Sequence, residues 1–265
     1  TAVPVATFIA LHPEAQAMLA TRVYGRNWFS HITDPAEAES TAKDFITHLA
    51  ALHRLDPREL DAAMDLAGEP RLDAALSMHE LVEAQLDEME DIIAFRGGEP
   101  DPIVSLSLTW LRANIPGYEG PTVLVQGDTG PGNFMYAHGK VTAVVDWELA
   151  HFGDPMDDIA WLTLRAVQEP FTDLDARMAE YEELSGHRLD FDRVRYYRVL
   201  GEAKIRVMSH GQSAADRGNR PGEGGDPGAG LIFGQLHRRL CAEALADVKG
   251  LEFDYVVVID TSADR

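Results

Sequence analysis

Apolar residues at Ala38, Ala42, Phe45, Ile46, Leu49 and Leu52 recur at helical spacing and predict a helix that runs to His53. Its start is marked by Asp34 before Pro35, an N-cap followed by proline in the first helical position, and Leu55-Asp56-Pro57 ends it. The same reading gives a helix over 73–95 stopped by Gly97-Gly98, and a shorter one over 101–113 stopped before Pro116-Gly117. Further helices are expected over 156–166, 173–185, 190–209 and 231–249. Between these blocks the pattern changes. Val123-Leu124-Val125, Phe134-Met135-Tyr136 and the run 141–145 are short apolar segments of strand type, with His138-Gly139-Lys140 as a turn between the last two. A hairpin is therefore expected, gathering the ends of all three segments in one place. The opening stretch 2–11 reads as a strand, and 251–259 as a late strand or packed tail. The glycine- and proline-rich stretch 211–230 has almost no apolar side chains and is expected to be a flexible loop.

The segment ends carry Gly127-Asp128, Asn133 and Asp146-Trp147-Glu148. Phosphoryl transfer to a hydroxyl is mostly positioning and charge neutralisation, because its transition state is loose. Mg²⁺ needs a few oxygen ligands at about 2.1 Å and keeps several waters. Asn133 through its amide oxygen and Asp146 through its carboxylate suit that need. Asp128 is left to accept the proton of the attacking hydroxyl. A metal-dependent hydrolase built on Asp128, Asp146, Glu148 and His151 uses the same acids.

Gly127-Asp128, four residues, Asn133, twelve residues, Asp146 is an order that resembles the catalytic and metal-binding loops of the aminoglycoside phosphotransferase family, which shares the protein-kinase-like fold. Gly153-Asp154-Pro155 and Asp158-Ile159-Ala160-Trp161-Leu162 are similar to the branch that includes kinase-like domains fused to acyl-CoA dehydrogenases. Residues 18–26 resemble the hinge strand between the two lobes, and 49–56 the end of the first large-lobe helix. The resemblance implies an α+β fold: a mainly helical kinase-like large lobe over 27–265 with a catalytic hairpin, preceded over 1–26 by the hinge and a remnant of the small lobe. It implies ATP and Mg²⁺ as cofactors and a small-molecule hydroxyl as acceptor, either a hydroxyacyl thioester or an aminoglycoside-like amino sugar. By the same resemblance Asp128 is the catalytic base, Asn133 and Asp146 are metal ligands with Glu148 as a further acid, and adenine lies against the backbone near Thr21 and Val23. Gln126 and Asp158 are supports of the loop, and Asp154 before Pro155 reads as a structural N-cap of the helix that follows. The family usually has His where this chain has Gln126, which keeps open a non-catalytic, pseudokinase-like binding protein as the alternative. The loop that covers the phosphates and the early strand lysine of kinase-like folds are not visible before the hinge, and the first lysine is Lys43. A chain opening at Thr1 in this way is expected to be a fragment of a longer protein.

Composition narrows the partners. A net charge of −21 over 265 residues opposes nucleic acid and anionic membranes, which need clustered Lys and Arg. No apolar run approaches the roughly 18 residues that cross a bilayer. The single cysteine, Cys241, excludes an internal disulfide framework and suits a reducing compartment, so a cytoplasmic location is expected. The histidines are scattered without a zinc-type pairing, and His151 is expected to be a loop residue.

Overall fold

The computed structural model describes residues 3–12, 14–15, 17–60, 62, 76–210 and 227–248. The strands form three two-stranded antiparallel pieces. Strand β1 (Phe8–His12) pairs with β2 (Ala17–Ala20), β3 (Val123–Val125) with β6 (His151–Gly153), and β4 (Phe134–Ala137) with β5 (Lys140–Val144). The helices are α1 (Pro35–Leu52), α2 (Met78–Arg96), α3 (Pro102–Ala113), α4 (Pro155–Gln168), α5 (Leu174–Ser185), α6 (Phe191–Met208) and α7 (Pro227–Asp247). The chain divides into two compact units, one of residues 1–82 and 116–197, the other of 83–115 and 198–265.

The first unit is built around α1 and α4. Asp34 accepts the Ala36 amide at 3.0 Å with Pro35 in the first turn, and the helix then buries Ala42, Phe45, Ile46 and Leu49. Phe45 stacks on Phe134 of β4 with ring centroids 4.5 Å apart, so the helix covers the β4–β5 hairpin. Helix α4 buries every residue from Pro155 to Leu162, including two carboxylates, Asp157 and Asp158. Charges so placed need partners, and the site described below supplies them. Asp154 caps α4 through the Met156 amide at 2.9 Å, and Arg193 Nη1 donates to both of its oxygens at 2.7 and 2.6 Å. A smaller apolar cluster joins Met78 and Leu81 of α2 to Phe152 of β6.

Several expectations change. The first strand-type segment pairs outside the hairpin: β3 lies against β6 (His151–Gly153), with the whole β4–β5 hairpin between them in sequence, so His151 opens a strand instead of lying in a loop. Period-two patterning over three residues is too short to reveal that partner. The hinge-like stretch leaves strand geometry after Ala20, and only Arg26 re-pairs, bridging Tyr136 of β4. The second helix begins at Met78; residues up to 75 in the range expected for it lie outside the described residues. Of the expected loop at 211–230, residues 227–230 open α7 and 211–226 lie outside the described residues, as does the expected late strand at 251–259. The β1–β2 ribbon exposes Phe8, Ile9, Leu11, Met18 and Leu19.

In the second unit α3 is capped by Asp101, whose carboxylate also receives Arg206 at 2.7 Å. Ser107 of α3 meets Cys241 of α7 at 3.4 Å. Burial pushes the Cys241 thiol up to about 11, which makes it an inert core residue. His237 Nδ1 and Glu202 Oε2 form a buried pair at 2.9 Å. No helix among the described residues is long and apolar enough to cross a membrane.

Candidate active site

The loop between β3 and β4 is shaped by glycine and held by buried acceptors. Gly127 has φ of 86°, and a Cβ there would stand 2.2 Å from the Leu149 carbonyl oxygen. Gly127→Ala therefore has to push the 146–150 turn away as well as adopt a left-handed backbone. The expected cost is about 1–3 kcal/mol for the strained backbone alone, read by urea denaturation. Unchanged stability would mean the turn gives way freely.

Gln126 and Asp158 fix the rest of the loop. The Gln126 side chain donates to the carbonyls of Val145 (3.1 Å) and Asp146 (2.5 Å), while its Oε1 accepts from the Asp128 amide (3.0 Å) and the Thr129 hydroxyl (3.1 Å). One side chain thus ties the Asp128 loop to the Asp146 turn. Asp158 is fully buried and accepts from the amides of Gln126 (2.9 Å) and Gly127 (3.0 Å), from the Thr129 hydroxyl, and pairs with His53 Nε2 at 2.9 Å. His53, just past the end of α1, meets the Tyr181 hydroxyl through Nδ1 at 2.6 Å. Burial would raise the Asp158 pKa, but the hydrogen bonds of His53 and Thr129, the charge of His53 and the Gln126 amide outweigh it and hold the pKa below its ordinary value.

Asp128 itself is largely enclosed. Arg165 of α4 grips it as a fork, Nε to Oδ1 at 2.8 Å and Nη2 to Oδ2. Asn133 Nδ2 donates to Asp128 Oδ2 at 2.6 Å and to its carbonyl at 2.8 Å. Burial raises the Asp128 pKa; the hydrogen bond and charge of Arg165 and the Asn133 amide oppose that, and the charge of Asp146 adds to it. The net direction is upward.

Asn133 and Asp146 are brought together by the hairpin. His138 and Gly139, both at positive φ, make the two-residue turn between Ala137 and Lys140. The Val145 amide donates to the Asn133 carbonyl at 3.0 Å, which sets Asp146 one residue beyond that contact. Asp146 has φ of 62°, an uncommon left-handed position for a non-glycine residue, and is exposed. The carboxylates of Asp146 and Glu148 accept no hydrogen bond from any described residue. Asn133 spends its amide nitrogen on Asp128, which leaves its amide oxygen as the group that could ligate a metal.

Oxygen donors of this kind fit Mg²⁺. Among the described residues no group of three or more His, Cys, Asp and Glu could hold a metal. A protein-only cage is absent there, but Mg²⁺ needs none, since it is commonly held by one or two protein oxygens, waters and substrate phosphates. Glu148 is exposed and the structure gives it no tie to Asn133 or Asp128. His151 is drawn elsewhere, its Nε2 lying 3.1 Å from Asp157 and its Nδ1 2.9 Å from the Leu149 carbonyl. Thr21 uses its amide and hydroxyl to close the ribbon onto Thr7, at 2.9 and 2.8 Å, and Val23 is half-buried. Neither has a hydrogen bond to the Asp128 group. A cavity of about 10 Å³ behind the loop, bordered by Phe45, Leu49 and Thr129, is too small for any substrate and at most holds one water.

Arg165 was not singled out from the sequence, although a signal existed. It lies seven residues after Asp158, two helical turns along, so a helix that turns Asp158 to the loop turns Arg165 there too.

Residues 2–197 match the model of the phosphotransferase enzyme family, APH. A stretch of 66 residues, 24% of the chain, is 41% identical to acyl-CoA dehydrogenase family member 11 of Rattus norvegicus, and spans 8% of that protein. Among solved structures, a protein from Ralstonia eutropha assigned as an aminoglycoside phosphotransferase superposes with a TM-score of 0.64 at 21% identity, over 92% of this chain and 78% of its own. The macrolide 2'-phosphotransferase of Brachybacterium faecium superposes at 0.53 with 17% identity, over 92% and 73% of the two chains. At these identities the likeness establishes the fold: the mixed helix and strand architecture is that of the kinase-like phosphotransferases.

Proposed function

Since the chain belongs to the phosphotransferase enzyme family, we propose that it moves the terminal phosphoryl group of ATP to a hydroxyl of a small molecule, with Asp128 as base and Asn133 and Asp146 as the metal-holding pair. The carrying observation is the linkage of these groups: Asn133 is hydrogen-bonded to the Asp128 carboxylate at 2.6 Å, and the Gln126 side chain joins the Asp128 amide to the Asp146 carbonyl. Bound Mg²⁺ would supply neutralisation of phosphate charge between the Asn133 oxygen and the Asp146 carboxylate. Asp128 takes the proton as the acceptor oxygen bonds to phosphorus and the bond to the departing ADP oxygen breaks; the proton then passes to solvent. The loose transition state makes a strong base unnecessary, and the buried, oriented carboxylate works chiefly by placing the hydroxyl.

Gln126 bears on the competing reading of a non-catalytic binding protein. Its four hydrogen bonds brace both the Asp128 loop and the Asp146 turn, so replacement of the family's His leaves the loop tied. That favours an active enzyme.

For the acceptor, the matched stretch of acyl-CoA dehydrogenase family member 11 favours a hydroxyacyl thioester over an amino sugar, because net charge reports solubility and steering and not the pocket. ATP and Mg²⁺ should be offered with panels of both classes, with ADP release and phosphorylated product followed by mass spectrometry. Transfer to hydroxyacyl compounds is expected. Transfer to amino sugars alone would reverse the acceptor order, and no transfer together with no nucleotide binding would remove the enzymatic reading.

A further inference from the structure

The Asp128 carboxylate has more partners than a base waiting for a substrate needs. An ionised carboxylate offers about four lone-pair sites. Arg165 takes one on Oδ1 and one on Oδ2, and Asn133 takes the second on Oδ2. One site on Oδ1 stays open. The arginine lies close under the loop because Gly130 leaves room for it: a Cβ there would stand 2.8 Å from Arg165 Cβ. Gly130 also has φ of 139°. Arg165 is only partly exposed and comes from α4, the helix that also presents Asp158 to the same loop, so fork and loop are referenced to one rigid element.

We infer that Arg165 is a positioning residue for phosphoryl transfer, a two-point clamp that locks the Asp128 side chain and directs the acceptor hydroxyl to Oδ1. The inference rests on Asp128 being the base. A planar guanidinium holds two oxygens at fixed spacing, whereas an ammonium binds as a point charge and leaves the carboxylate free to rotate. The clamp therefore acts on the chemical step, and nucleotide binding is not its business.

Arg165→Met keeps the aliphatic stem that packs under Gly130 and removes the fork. It should lower kcat about 100-fold, the scale of a misplaced reacting group, and leave KM for ATP unchanged. Arg165→Lys should recover little of that loss, and free guanidinium added to Arg165→Ala should recover part of it. In the uncatalysed, substrate-free protein the Arg165 Nε–H should give a slowly exchanging NMR resonance that Asp128→Ala abolishes. Parent-level kcat in Arg165→Met or Arg165→Lys would overturn the clamp, as would a fall in kcat that guanidinium does not restore and that tracks a lost melting transition. Asp128→Asn separates the two ideas. If it turns over like the parent, the base assignment fails; if it is inactive while Arg165→Met is not, only the clamp fails.

Discussion

Asp128→Asn should lower kcat by roughly 10²–10⁴-fold, the usual contribution of a positioned general base, while Mg·ATP still binds. The amide keeps the size of the carboxylate but cannot take the hydroxyl proton. It also presents a donor where Arg165 and Asn133 both donate, so the side chain loses two of its three restraints. The loss should therefore fall on kcat and not on nucleotide affinity, a split that steady-state kinetics with isothermal titration resolves. Asp146→Ala should behave in the opposite way, weakening Mg²⁺-dependent nucleotide binding as well as turnover. Equal loss of ATP affinity in the two variants would contradict the separate roles.

Asp158→Asn should cost about 3–5 kcal/mol of stability, the scale for removing one member of a buried charge pair. Against a total of roughly 5–15 kcal/mol that is a large share. The amide cannot accept at every point where the Gln126 and Gly127 amides, the Thr129 hydroxyl and His53 now converge. Denaturant titration gives the cost, and amide exchange at Gln126 and Gly127 should speed up. A loss below about 1 kcal/mol, the level of an ordinary single hydrogen bond, would show that the network is dispensable. The same carboxylate shapes the acid limb of stability. Its folded pKa lies below the unfolded value of about 3.9, so its stabilisation is complete above that pH and is lost as pH falls through the folded pKa. Asp158→Asn should flatten that limb.

Much of this arrangement was legible in the chain because it depends on local rules. Asp34-Pro35 and Asp154-Pro155 announce helix starts, and both carboxylates cap the helices that follow. His138-Gly139 announces a tight hairpin turn, and the ladder between β4 and β5 runs up to it. What depends on distant partners was not legible. The pairing of Val123–Val125 with His151–Gly153 joins segments separated by the whole hairpin, and three-residue strands carry no pattern that names a partner. Arg165 was only faintly legible: an arginine in a helix is ordinarily a solvated surface charge, and its place two turns after Asp158 was the one mark of an inward guanidinium. Gln126 shows the converse, a residue that read as a weak point in the sequence and holds four hydrogen bonds in the structure.

The central claim is that Asp128, Asn133 and Asp146 serve one phosphoryl-transfer centre. A crystal structure with Mn²⁺ and a non-hydrolysable ATP analogue tests it directly, since the metal is located by its anomalous signal. The account predicts Mn²⁺ bound by the Asn133 amide oxygen and the Asp146 carboxylate, with the terminal phosphate facing Asp128 Oδ1. Metal and nucleotide bound away from these residues, or an Asp128 side chain turned out of the phosphate's reach, would contradict it.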